Sequence, residues 1–146
     1  MSLKKFRISH TEQTSVDADR IWLLWSDVNN WPIWDEGLEM SSLEGEFKEG
    51  DTFLLKPQGA DNPIRAQFTN VTKNRGFTDV TKLPFGELRA IHTFEIGSHG
   101  NLLTHTIEAD VAEDYLDFFT NVIWAGMEIG LPQSVRNLVS LAEKQI

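Results

Sequence analysis

The sequence predicts an α+β fold: a seven-stranded, curved antiparallel sheet wrapped around one long C-terminal helix, with two short helices after the first strand. Three observations predict it. Residues 38–111 break into short strand-like segments separated by turn residues. Residues 114–146 read as a long helix whose first half is apolar almost all the way round, so it must be covered on more than one side. The length of 146 residues suits one domain, 1–146, with one core.

In chain order, residues 4–14 alternate, with Phe6 and Ile8 on one face and Lys5, Arg7 and Ser9 on the other, as a half-buried strand does. Asp17 then offers a helix N-cap, and Ile21, Trp22, Leu24, Trp25 and Val28 follow at helical spacing to Asn29. Asn30 and Pro32 suit the start of a second short helix that Gly37 stops. Six strands follow, over 39–46, 51–57, 64–73, 77–83, 87–96 and 102–111, each break carrying glycine, proline or asparagine. Short connections between consecutive strands imply an antiparallel meander.

A helix over 114–146 would run roughly 50 Å, longer than a small domain is wide, so a bend is expected. Pro132 is placed to supply it. Beyond it, Val135, Leu138, Val139, Ala142 and Ile146 form an amphipathic stripe. Gly126 and Gly130 leave one side of the helix without bulk, for close packing or for a guest. No other element is long and apolar enough to cover the sheet, and a space is expected to remain between the two.

With 22 acidic and 13 basic residues the formal net charge is -9, which argues against nucleic acid and anionic membranes as partners. No apolar run approaches a membrane span, and MSLKKFRIS lacks the apolar core of a signal peptide. A cytoplasmic protein without stable membrane insertion is the expectation. There is no cysteine, the four histidines show no ligand spacing, and no serine sits in a Gly-x-Ser-x-Gly turn. No metal, cofactor or nucleophile triad is expected.

The run DADRIWLLWSDVNNWPIWDEG, the six strands and the terminal GLPQSVRNL resemble the START-related superfamily, which includes polyketide cyclase/dehydrase-like proteins, lipid-transfer domains and the birch-pollen allergen type. The sharpest matches are Ala18-Asp19-Arg20-Ile21-Trp22, Asn30-Trp31-Pro32-x-Trp34-Asp35 and the turn at Phe47 to Asp51. The resemblance implies a helix-grip fold with an internal, largely apolar cavity for a small hydrophobic molecule. Carriers, cyclases and dehydratases share this architecture without a common catalytic set, so no catalytic residue carries over.

The last hairpin permits a deduction from residues alone. Leu88, Ala90, His92, Phe94 and Ile96 share one face, and Leu103, His105, Ile107, Ala109 and Val111 another. A two-residue loop at Ser98-His99 would pair Gly97 with Gly100 and His92 directly with His105. The two imidazoles would then be satisfied wall residues, polar contacts to a ligand, or a general acid and base. Asp79 is ambiguous: Phe77 and Thr81 turn it inward, Val80 outward, and the rarity of buried unpaired carboxylates favours exposure.

The aromatic content, 5 Trp and 9 Phe, is the strongest compositional hint. Trp34, Phe119, Ile123 and Met127 are candidate cavity wall, and His92, His105 and Tyr115 candidate polar contacts to a small hydrophobic ligand. The surplus of apolar helix surface at Leu116, Phe119, Ile123 and Leu131 suits a homodimer interface equally well. The reading therefore stays open between a binding module, a cyclase- or dehydratase-type enzyme and an interaction module.

Overall fold

The computed structural model describes residues 2–144, so Gln145 and Ile146 of the expected helix lie outside the described residues. The order is β1 (Leu3–Thr14), α1 (Ala18–Ser26), a 3-10 helix (Val28–Ile33), β2 (Leu38–Leu43), β3 (Thr52–Pro57), β4 (Ile64–Thr72), β5 (Gly76–Leu83), β6 (Gly86–Gly97) and β7 (Gly100–Ala112). The strands form a 7-stranded sheet in the order β1-β7-β6-β5-β4-β3-β2. Every neighbouring pair is antiparallel. Strands β2 to β7 are the expected meander, and β1 returns along the last of them.

Two clusters of apolar side chains cover the concave face. In the first, α1, the 3-10 helix and the C-terminal half of the last helix bury Trp25, Trp31 and Trp34 with Phe53, Phe68, Phe77, Leu103, Val135 and Leu138. In the second, Phe119 and Trp124 pack with Ala109 and Val111, flanked by Phe6, Phe85, Leu88 and Ile107. Each fully buried large side chain contributes about 1.5–3 kcal/mol relative to exposure. On the convex face Arg89 bonds Glu87, Glu108 and Asp110, which ties β6 to β7 from outside.

The last helix departs from expectation at its start. A 3-10 turn (Glu113–Tyr115), one α turn (Leu116–Phe118) and a π-helical segment (Phe119–Trp124) precede the regular α-helix Ala125–Lys144. Pro132 lies inside that α-helix, so the irregular geometry is upstream of it and not at the proline. The physical reason is packing. A π turn brings residues five apart onto one side, and Phe119 and Trp124 both reach Phe6, with ring centroids 5.0 and 5.2 Å away. The same local geometry changes which residues face out. Phe119 and Leu131, expected on an exposed patch, are buried, while Tyr115, Phe118, Val122 and Ile129 are exposed. A Cβ added at Gly126 or Gly130 meets nothing within 4 Å, so neither glycine is kept for close packing within the chain.

Candidate functional site

The β6–β7 hairpin sets the site. Gly97 pairs with Gly100 across Ser98 and His99, so Phe94 faces Leu103 and His92 faces His105. Gly100 has φ 123, in the region that favours glycine, which keeps the loop at two residues and the register fixed. The register then runs on across the sheet, with His10 of β1 opposite His105 and Phe77 of β5 opposite His92. A row of His10, His105, His92 and Phe77 crosses the concave face. Among the described residues no group of three His, Asp or Glu side chains is arranged as a metal site.

The rings of His92 and His105 lie 4.5 Å apart at 80°. His92 stacks on Phe77 at 3.8 Å and 9°. Its Nδ1 lies 3.1 Å from the Phe77 carbonyl oxygen, which only accepts, so Nδ1 carries the proton and Nε2 presents a lone pair. His105 is the opposite case. Trp25 Nε1–H donates to His105 Nε2 at 3.1 Å, which leaves the proton of His105 on Nδ1. Burial is the main force on both, since it disfavours the charged ring. It lowers His92 to about 4, against a smaller opposing effect of the Phe77 carbonyl. It holds His105 well below 6.5, helped by His92 and then His10. Both rings are neutral at pH 7, one offering an acceptor and the other a donor.

Asp79 corrects the sequence reading. It is 6% exposed, on the buried face of β5 with Phe77 and Thr81. It stands opposite Phe68 of β4 and Ala90 of β6. Its phase follows Phe77, whose large ring must be buried, and Val80 takes the other, half-buried face. Among the described residues its carboxyl has no hydrogen-bond partner, and burial alone raises its pKa from 3.8 to about 8. Asp79 is diagonal to His92, since Ala90 and His92 are successive inward positions on β6.

Between the two apolar clusters the concave face is less covered. Ala90 belongs to neither cluster and is half-buried, as are Leu88 and Ile107 beside it. Among the described residues the side-chain polar atoms sealed without a partner are His10 Nε2 and Asn74 Oδ1. His92 Nε2, His105 Nδ1 and the Asp79 oxygens are also unpartnered but are not sealed. They lie on the concave face near half-buried Ala90, which is opposite Asp79 and two residues before His92 on β6. His10 Nε2 is 3.3 Å from Glu12 Oε2 without the alignment of a hydrogen bond. A separate depression of about 640 Å³ lies by the β4–β5 turn, with Lys73, Arg75 and Glu95 on its rim. It includes none of the inner polar groups and is no part of this site.

No family model and no curated protein sequence matches the chain. Solved structures do. Truncated norcoclaurine synthase from Thalictrum flavum superposes with TM-score 0.73 at 15% identity, covering 97% of this chain and 95% of that one. The di-domain ARO/CYC StfQ from the steffimycin biosynthetic pathway gives 0.79 at 11%, covering 97% of this chain and 51% of that one. A Rhizobium leguminosarum protein gives 0.71 at 15%, covering 98% and 97%. The chain has the helix-grip fold. At these identities the likeness concerns architecture, and the curved sheet gripping a C-terminal helix is what it shares.

Within the helix-grip frame the expected residues fall into three groups. Trp34 joins the histidines: it is 4% exposed, its ring centroid 5.8 Å from His105. Phe119, Ile123 and Met127 belong to the second cluster, with Phe119 fully buried and the other two half-buried. Tyr115 stands apart, 44% exposed in the 3-10 turn after β7 and packed against Phe85 at 5.8 Å. Sequence reasoning missed Trp25 as the partner of His105. A buried indole N–H needs an acceptor, and that requirement was the available signal. No helix among the described residues is long and apolar enough to cross a membrane.

Proposed function

We propose that this chain binds a small, largely apolar molecule between sheet and C-terminal helix. In this reading His92 and His105 hold the polar end of the guest. Trp34, Phe119, Ile123 and Met127 form the apolar surroundings, and Tyr115 stands at the helix entry. The observation that carries the reading is that His92 Nε2 and His105 Nδ1 have no partner among the described residues, on an apolar concave face where Leu88, Ala90 and Ile107 are only half-buried. Buried polar groups are ordinarily satisfied within the protein, and a few convergent ones in apolar surroundings are the usual design of a ligand pocket.

An acid–base enzyme of cyclase or dehydratase type is the weaker reading of the same residues. A ring that protonates only near pH 4 is a poor proton acceptor at neutral pH. The exposed stripe of Tyr115, Phe118, Val122 and Ile129 supports a homodimer as part of the proposal. Sedimentation of the native chain and of Val122→Asp tests it: a dimer that the substitution dissociates supports the interface, and a monomeric native chain removes it. Native mass spectrometry followed by denaturing release tests the binding reading. A discrete adduct that His92→Leu loses supports it. A native protein without adduct that also takes up no offered aromatic amide or carboxylate contradicts it.

A further inference from the structure

Resting on that binding reading, we propose that the concave face around Ala90 leaves room for a guest there and selects an uncharged polar group carrying both an acceptor and a donor, such as a primary amide, over carboxylates. The selecting groups are Asp79 and His92. They lie diagonal to each other across β5 and β6, with half-buried Ala90 directly opposite Asp79. Neither is hydrogen-bonded to the other, and a bound group would bridge them.

The chemistry follows from protonation. A carboxyl shielded from water and given no cation or backbone donor keeps its proton, and in that form it donates one hydrogen bond. Asp79 is in this situation at neutral pH, with burial as the cause. His92 offers Nε2 as an acceptor because its proton is committed to the Phe77 carbonyl. A carbonyl oxygen on the guest would take the Asp79 proton bond, and an N–H or O–H would meet His92 Nε2. His105 Nδ1–H supplies a second donor nearby.

A carboxylate guest finds neutral donors at Asp79 and His105 Nδ1 but, among the described residues, no cation, and its oxygens meet the lone pair of His92 Nε2. The titratable groups facing Asp79 are His92 on β6, with His105 on β7 and His10 on β1 farther along that row. From β4 comes Phe68, and the helices above this face bring Trp25, Trp31 and Trp34. The lysines and arginines of β4 to β6 and their turn lie elsewhere: Arg65 on Glu44, Lys82 exposed opposite Glu87, Arg89 on the convex network, and Lys73 and Arg75 at the β4–β5 turn. Burying an anion without a cation is strongly unfavourable, and two neutral donors offset only part of that cost.

The test is calorimetric titration of the full chain with 2-naphthamide and with 2-naphthoate, which differ in charge and little in shape. Near pH 7 the amide is expected to bind at least about tenfold tighter. Amide affinity should fall as Asp79 ionises above about pH 8. Asp79→Asn, which keeps a neutral donor, should hold affinity near the native value and abolish that fall, whereas Asp79→Leu should weaken the amide about tenfold or more with the fold confirmed by circular dichroism. Equal or tighter binding of the naphthoate overturns the selectivity and leaves the binding reading standing. A pH profile that Asp79→Asn does not change also overturns it. Failure of both probes to bind overturns both.

Discussion

Replacing Asp79 by asparagine should stabilise this protein, against the usual outcome of a substitution inside a sheet. The native carboxyl ionises at about 8 and the unfolded one at about 3.8. Between those values the folded chain holds a proton that the unfolded chain has released, so stability contributed by this group is full below pH 3.8 and falls as pH rises toward 8. At about 1.4 kcal/mol per pH unit the span amounts to roughly 6 kcal/mol at most, and to about 4 kcal/mol by pH 7. Asparagine carries no such cost, but its amide leaves one more donor unpaired than the neutral carboxyl does, which takes back about 1–3 kcal/mol. A net gain of about 1–3 kcal/mol at pH 7 is expected. Urea denaturation of both proteins from about pH 4 to 9 measures it, because groups common to both cancel in the difference. The difference should grow with pH and level off above about 8. A difference that does not vary with pH would refute the reasoning, since it would mean that Asp79 is not a buried neutral acid.

Two further outcomes are expected. His92 and His105 are depressed below 6.5, so the stability they contribute is present above pH 6.5 and is lost as pH falls toward about 4 for His92. A His92→Gln variant should therefore lose less stability than the native chain between about pH 6.5 and 4 in urea titrations. Trp25→Phe removes the donor to His105 Nε2 and leaves a void beside it. It should destabilise the chain by about 2–4 kcal/mol in urea denaturation, with the apparent pKa of His105 changed when followed by NMR.

The sheet was legible because period-2 alternation and turn residues mark it locally. The hairpin register was legible for the same reason, since two loop residues between glycines leave one pairing. Strand β5 was not, because Phe77, Asp79 and Thr81 against Thr78 and Val80 give no clean division. The phase was settled by Phe68, Ala90 and the aromatic cluster, which are distant in sequence. The start of the last helix failed for a related reason. Its all-round apolar surface fits any rotation, and only packing of Phe119 and Trp124 on Phe6 selects the π turn. Pro132, read from the chain as the place where the helix bends, lies within the regular α-helix, seven residues beyond its start. The pairing of His92 with His105 could be read from the chain; the approach of Trp34 to His105, the burial of Asp79 and the bond from Trp25 needed the third dimension.

The most direct measurement is a long-range proton–nitrogen correlation spectrum of the histidine rings, recorded while 2-naphthamide is titrated in. The account predicts that free His92 is protonated on Nδ1 and His105 on Nδ1, and that His92 Nε2 and His105 Nδ1 shift on binding. His105 Nε2, held by Trp25, should move least. Saturable binding that leaves both rings unmoved, with changes confined to Tyr115, Phe118 and Val122 on the helix exterior, would contradict it.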